Sequence, residues 1–301
     1  MNPEGCRRLI ETHFPQVKIR TCVPIDMGWD YFVLDVNDEL IFRFPRRADV
    51  LRQLEWELEI LPKLADALPV RVPNFEYVAT PESGNPAKFV GYQKILGSGL
   101  DAQKLESSGA RARVARSIAG ALGALHSMPL DGLGDHPMSQ NPDPRNSEGW
   151  RNAYGRLFEF AQKNVFPRLS RDTARRETQT WRDFLFDDSN FNFPPVFVHQ
   201  DLNSEHVITD YERGTLAGII DWGDCGIGDP ALDFVGLARG LGEEFASEVL
   251  DHYRCPSAGI MSRARFYDAI VPYYYIKFEL ESGDAGFLER GIHDIETRKP
   301  Y

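Results

Sequence analysis

The feature that most constrains this chain lies in residues 196–224, where two acid-bearing segments flank a short apolar hairpin. A buried-looking VFV runs into His199-Gln200-Asp201, and His206 follows five residues after Asp201. HVITD, a YERG turn and TLAGIID then return the chain to Asp221-Trp222-Gly223. A two-stranded ribbon of this kind is expected to bring a loop Asp and a strand-end Asp together. Such carboxylates, with a third donor beside them, suit a divalent cation that bridges phosphate oxygens. One can hold metal while the other orients an attacking hydroxyl. Singly, each piece has an ordinary reading: H-x-D tripeptides arise by chance, Asp221 serves as a turn former, and His206 serves as a structural histidine. Their order and spacing carry the argument.

The chain before this island reads as a small sheet. Strand-length apolar runs fall at 18–25, 31–36 and 39–44, with Val36-Asn37-Asp38 offering a turn. Leu51, Leu54, Leu58, Leu61, Leu64 and Leu68 recur at spacings of three and four, which predicts an amphipathic helix over 50–68. Pro62 is expected to kink or interrupt it. Further strands are expected at 75–80 and 88–95 around the turn-rich PESGNP. Past residue 96 the character changes. GSGLD reads as a linker into a helix over 109–127, where Val114, Ile118, Leu122 and Leu125 share a face. Residues 131–149 read as loop, and helical patterns occupy 150–186 and 231 to the end. The expected division is a sheet-bearing N-lobe over 1–95 and a larger helical C-lobe over 96–301.

With 301 residues the chain has room for two domains of about 150 residues each. A formal charge of −11 disfavours nucleic-acid binding through a basic surface and favours a cationic small molecule. Cys6, Cys22, Cys225 and Cys255 form no CxxC pair. No apolar run reaches the roughly 18 residues of a membrane span, and the start lacks a signal-peptide pattern. A cytoplasmic monomer with no nucleic-acid or membrane partner is the expectation.

IFRFPRR, ELEIL, FVGYQKI, ALHSMP, HQDLNSEH, GIIDWGD and DPALDF follow one another in that order. The set resembles the aminoglycoside phosphotransferase family, antibiotic kinases that share the fold of protein kinases. The resemblance implies an α+β, bilobal protein-kinase-like fold, with a small antiparallel-sheet N-lobe carrying one helix and a larger, mostly helical C-lobe. It also implies that Asp201 is the catalytic Asp accepting or orienting the substrate hydroxyl proton. Asp221 would be the Mg²⁺ ligand of a DFG-like segment. His206 would be a second metal ligand where many members carry Asn, as in the 2″-aminoglycoside and macrolide subgroups. Gln200 replaces the small or amide residue often found between that His and Asp.

By the same resemblance, Arg43 falls where kinases usually carry the phosphate-gripping Lys, and Glu57 where its ion-pair partner is expected. A guanidinium fork grips differently from an ammonium point charge, and Arg46 or Arg47 could share the task. The run from Gly91 to Ile95 resembles the hinge whose backbone pairs with the purine at Gln93 and Ile95. Tyr92, bulky at the back wall of that pocket, would crowd adenine. The implied donor is GTP or ATP, with GTP slightly favoured. The phosphate loop offers one glycine, Gly28, where protein kinases show G-x-G-x-x-G.

The implied reaction transfers a γ-phosphoryl group to a hydroxyl of a cationic antibiotic, an aminoglycoside first and a macrolide as the alternative. A metabolic alcohol such as a sugar or choline comes third. Glu205, Asp224 and Glu279, with Tyr275 stacking on a ring, are the candidate substrate contacts; Glu243, Glu244 and Tyr274 are further ones. Arg239 stands where 2″-aminoglycoside kinases tend to be acidic, a feature that fits macrolide kinases about as well. Two other classes remain open. A non-catalytic kinase-fold binding protein would suit Arg43, Gly28 and His206, but Asp201 and Asp221 oppose it. A metal-dependent hydrolase would leave the N-lobe unexplained.

Overall fold

In the computed structural model, which describes residues 2–25, 30–80, 88–136, 139, 141–283 and 286–298, the chain opens with a helix that the strand patterns do not announce. Helix α1 (Pro3–His13) starts at an Asn2 cap that accepts from the Gly5 amide at 2.7 Å, with Pro3 in its first turn. Cys6 and Ile10, one turn apart, face fully inward, and Leu9 packs beside them. The N-terminal region therefore carries a helix beyond the single one expected.

A five-stranded antiparallel sheet follows, made of β1 (Cys22–Ile25), β2 (Tyr31–Val36), β3 (Leu40–Pro45), β4 (Phe75–Ala79) and β5 (Phe89–Gln93), in the order β1-β2-β3-β5-β4. The β2–β3 turn has Asn37 and Asp38 at φ 63° and 59°, the left-handed pair that matches the twist of a hairpin. Asn37 does a second job there. Its Oδ1 accepts from the Arg20 and Thr21 amides at 2.7 and 3.1 Å, and its Nδ2 donates to the Lys18 carbonyl at 2.9 Å. Those backbone groups are committed to a side chain rather than to a ladder, so β1 begins at Cys22 and not at residue 18. Strand β3 is buried at every position. Phe42 and Phe44 enter a cluster with Ile10, Leu34 and Phe89, and strand alternation sends Ile41 and Arg43 to the other face.

Helix α2 (Ala48–Ala67) runs through Pro62 without interruption. An interior proline costs about 3 kcal/mol. Leu61 and Leu64, in the turns around it, are 3% and 0% exposed, and such burial contributes about 1.5–3 kcal/mol each. Burial wins. Its buried residues are Val50, Leu54, Trp56, Glu57, Ile60, Leu61 and Leu64, which leaves Leu51 and Leu58 partly covered and places Glu57 on the inward side.

Onward come β6 (Ser98–Gly99), α3 (Ala102–Ser108), α4 (Arg111–His126), α5 (Ser147–Asn164), α6 (Arg171–Phe186), β7 (Val196–Val198), β8 (Val207–Asp210), β9 (Thr215–Ile219) and β10 (Gly226–Gly228). Helices α7 (Leu232–Leu241), α8 (Glu243–His252), α9 (Ile260–Ser282) and α10 (Phe287–Thr297) complete the described chain. Strands β6, β8 and β9 form one small sheet, and β7 pairs with β10. The chain resolves into two compact units. One holds Met1–Leu125, His136–Met138 and Glu205–Asp224; the other holds His126–Asp135, Ser139–Ser204 and Cys225–Tyr301. The first carries the five-stranded sheet and the β8–β9 hairpin, and the second is mostly helical. Among the described residues no helix is long and apolar enough to cross a membrane.

Candidate active site

In the sheet-bearing unit, β3 and α2 deliver a buried charge pair. Arg43 Nη1 donates to Glu57 Oε1 at 2.7 Å, with the two residues 5% and 0% exposed. Arg43 Nη2 donates to Asp221 Oδ1 at 3.3 Å. The guanidinium lies over the Tyr31 ring at 3.9 Å, and the Tyr31 hydroxyl donates to Glu57 Oε2 at 3.1 Å. Burial alone would lower the Arg43 pKa, but the charges of Glu57, Tyr31 and Asp221 hold it well above the ordinary arginine value. Burial pushes the Glu57 carboxyl up, against the pull of Arg43 and of its two hydrogen bonds.

Asp221 stands where β9 ends, in the left-handed region at φ 63°, a conformation costing a non-glycine residue about 1 kcal/mol or more. Its side chain is half exposed, and His206 Nε2 lies 3.3 Å from its Oδ2. The turn is held from below and from the side. Trp222, fully buried, donates its Nε1–H to the Ile219 carbonyl at 2.9 Å. His136 Nε2 reaches the Gly223 carbonyl at 2.7 Å, with Trp56 edge-on to its ring. Gln53 Nε2 donates to Asp224 Oδ1 at 3.1 Å. Arg43, Glu57, His206 and Asp221 are thus brought together, and Tyr31 and His136 join them without any signal in the sequence reading.

Asp201 belongs to the helical unit, on the loop after β7. Its carboxylate is exposed, with Asn203 Nδ2 3.3 Å from Oδ1. The loop is anchored through main chain. The amides of His199 and Gln200 donate to Asp233 Oδ2 and Oδ1 at 3.0 and 2.8 Å, and Asp233 is fully buried. His126 Nε2 meets Asp233 Oδ2 at 3.0 Å, and its Nδ1 meets the Tyr253 hydroxyl at 2.6 Å. Gln200 adopts φ 69°, a left-handed conformation that costs a non-glycine residue about 1 kcal/mol or more. Helix α7 approaches so closely that a Cβ on Gly236 would stand 2.4 Å from the Leu202 carbonyl oxygen. Asp233 and His126 lie inside DPALDF and ALHSMP, so the motifs were visible while the roles of these two residues were not.

The other candidates are placed as follows. Tyr92 is buried in β5, its ring 5.9 Å from that of Phe75, and burial pushes its hydroxyl up to about 12. Gln93 ends β5 with an exposed side chain, and Ile95 is buried. Glu205 is exposed. Tyr275 is half exposed and stacks on Phe287 of α10 with centroids 5.8 Å apart. Glu279 Oε2 accepts from the amides of Gly286, Phe287 and Leu288 at 2.9, 2.5 and 2.7 Å, which is the capping of α10. Gly28 lies outside the described residues.

Asp221 fits a hard divalent cation as a carboxylate ligand, with the His206 imidazole beside it. Imidazole is a poorer Mg²⁺ ligand than oxygen, so its natural reach is through a metal-bound water. Among the described residues no group of three or more His, Cys, Asp or Glu forms a cage.

The sequence profile described as the phosphotransferase enzyme family matches residues 21–267. The chain belongs to that family. It is 27% identical over 210 residues to viomycin phosphotransferase of Streptomyces vinaceus, spanning 69% of this chain and 66% of the relative. Its fold is similar to the GDP complex of wild-type aminoglycoside 2'-phosphotransferase-IIIa, with TM-score 0.86, 25% identity and 98% of each chain covered. A macrolide 2'-phosphotransferase type I shares the fold at TM-score 0.74 and 22% identity, over 99% of each chain. The family member is thus an α+β phosphotransferase with an antiparallel-sheet N-terminal region and a helical C-terminal part.

Proposed function

We propose that this phosphotransferase moves the γ-phosphoryl group of a nucleoside triphosphate to a hydroxyl of an aminoglycoside antibiotic. The observation that carries the reading is the buried Arg43–Glu57 pair reaching Asp221. A cation held at that spot by a buried partner is suited to gripping the phosphates of a nucleotide. Asp221, with His206 beside it, would hold Mg²⁺, which when bound neutralises charge on the phosphate oxygens. Arg43 grips the same oxygens. Asp201 orients the acceptor hydroxyl and takes its proton as the oxygen attacks phosphorus in line with the departing diphosphate. Positioning and electrostatics supply most of the rate gain in such transfers.

The reading divides labour between residues 1–95, which bind nucleotide, and 96–301, which carry the catalytic loop and acceptor pocket. The backbone at Gln93 and Ile95 takes the purine. Tyr92 behind them, together with GDP in the aminoglycoside relative, supports GTP ahead of ATP. The protein works as a cytoplasmic monomer on a cationic antibiotic, with Glu205, Asp224 and Tyr275 as acceptor contacts. Glu279 is the weakest of that group, because one of its oxygens already caps α10.

A second reading is a macrolide acceptor. Glu243 is paired with Arg265 through two bonds of 2.8 and 2.7 Å, and Arg239 is bonded to Asp268 at 2.7 Å. Acids so neutralised attract a polycation less, which favours a large apolar body with a single amine. The test is phosphate transfer read by mass spectrometry with aminoglycosides, macrolides and viomycin, each with Mg²⁺ and GTP or ATP. One added phosphate mass on aminoglycosides, absent with Asp201→Ala, is the expected result. Product on macrolides alone selects the second reading, and no product on any of them refutes both.

A further inference from the structure

Tyr31 plays no part in the sequence reading, yet it touches both members of the buried pair. Its ring centroid is 3.9 Å from Arg43 Cζ, and its hydroxyl donates to Glu57 Oε2 at 3.1 Å. Val33 is the residue opposite Arg43 in the β2–β3 register, and Tyr31 stands two positions before it. Strand alternation therefore puts Tyr31 on the sheet face of Arg43, at the diagonal where long and aromatic side chains meet. Tyr31 is 5% exposed, so the contact is desolvated, the condition under which a cation over a ring is held most strongly.

We propose that Tyr31 is a positioning residue for nucleotide binding: it fixes the plane of the Arg43 guanidinium, so that arginine can do here the work of the phosphate-gripping lysine. The inference rests on the nucleotide-binding reading of Arg43. An ammonium is a compact charge with rotatable donors and needs no plate beneath it. A guanidinium is flat, and its donors point along fixed directions in one plane. With one face on Tyr31 and Nη1 on Glu57, the plane is set and Nη2 is aimed at Asp221. Without the ring the charge stays buried, but the fork turns about its stem and loses that aim. The Tyr31 hydroxyl also donates to Glu57 Oε2, but it is the ring, not that bond, that sets the plane of the guanidinium.

The experiment places Tyr31→Leu and Tyr31→Phe in the unsubstituted chain and in Arg43→Lys. Dissociation constants for GTP and ATP are measured by calorimetry with Mg²⁺, beside melting temperature and, where turnover is seen, kcat and KM. Tyr31→Leu should weaken nucleotide binding about ten-fold, the size expected of a desolvated cation–ring contact. Tyr31→Phe keeps the plate and should stay within about threefold of the parent. The acceptor KM should hold for both variants. In the Arg43→Lys chain the Leu variant should lose no more than about twofold, because additivity fails only between coupled residues. Equal losses in the two backgrounds, or no loss at all, overturn the proposal, as does a Phe variant as weak as Leu. Should Tyr31→Leu not fold, the Phe result decides alone: near-parental binding supports the plate, and a ten-fold loss overturns it. An unsubstituted chain that binds no nucleotide refutes the proposed function together with this inference, whereas binding with no dependence on Tyr31 refutes the inference only.

Discussion

The Arg43 cluster and the Asp201 loop are built on opposite plans. Arg43 and Glu57 are buried and held by side-chain charges and an aromatic plate. Asp201 is exposed, and its loop is held by backbone amides on the buried Asp233. The difference teaches where each region is fragile. A buried charge stripped of its partner destabilises the whole fold. An exposed carboxylate on an anchored loop can be altered with the fold intact, and the cost then falls on chemistry alone.

The largest effect should separate the two plans at once. Asp201→Asn should lower kcat by about 10²–10⁴-fold, the usual worth of a general base, with stability within about 0.5 kcal/mol of the parent. Steady-state kinetics and urea denaturation on the same preparation check it, and a large stability loss would erase the contrast. Arg43→Met should instead strike the fold as well as nucleotide binding, costing about 3–5 kcal/mol of folding stability by stranding Glu57. Adding Glu57→Leu to that variant should restore most of the loss, read from the same denaturation midpoints. Asp233→Ala tests the anchor. It leaves the His199 and Gln200 amides without their acceptor, so about 2–4 kcal/mol of stability should go with activity. Gln200→Gly sharpens the comparison from the other side. Relief of a left-handed residue should outweigh glycine's extra chain entropy, for a gain of about 0.5–1 kcal/mol and a slightly higher melting temperature.

The smallest effect lies outside either region and serves as a control on acid sensitivity. The Thr173 hydroxyl and the Ser170 amide hold the Glu296 carboxyl below its ordinary value of 4.5. A depressed folded-state pKa stabilises above the unfolded value and loses that stabilisation as pH falls through the folded one. Glu296→Gln should therefore melt slightly below the parent at neutral pH, and the two curves should converge as pH drops well under 4.5. Persistent separation at low pH would assign the difference to shape rather than charge.

Much of the architecture was legible before any coordinates. Strand alternation marked β2 and β3, leucine spacing marked α2, and the ordered motifs marked Arg43, Glu57, His206 and Asp221 as one group. The misses have particular causes. Helix α1 is short and holds Pro3 and Gly5 in its first turn, both poor helix formers by local propensity. Of the kink or interruption expected at Pro62, the interruption is absent, because local propensity does not register the burial of Leu61 and Leu64. Residues 18–21 read as strand because nothing local reveals that Asn37 takes their backbone bonds. What the structure adds to Asp224 and Glu279 is a neighbour for one oxygen of each, Gln53 for the first and the α10 amides for the second.

The sequence by itself determined the class of chemistry, because that needs particular side chains at particular spacings along one stretch of chain. Only the tertiary structure decided what surrounds them: the Tyr31 plate under Arg43, the His136 bond to Gly223, and the Asp233 carboxylate beneath the Asp201 loop. The first joins neighbouring strands and the other two join residues far apart in the chain, and their energy comes from burial and direction, quantities that exist only once the chain has folded around the pair.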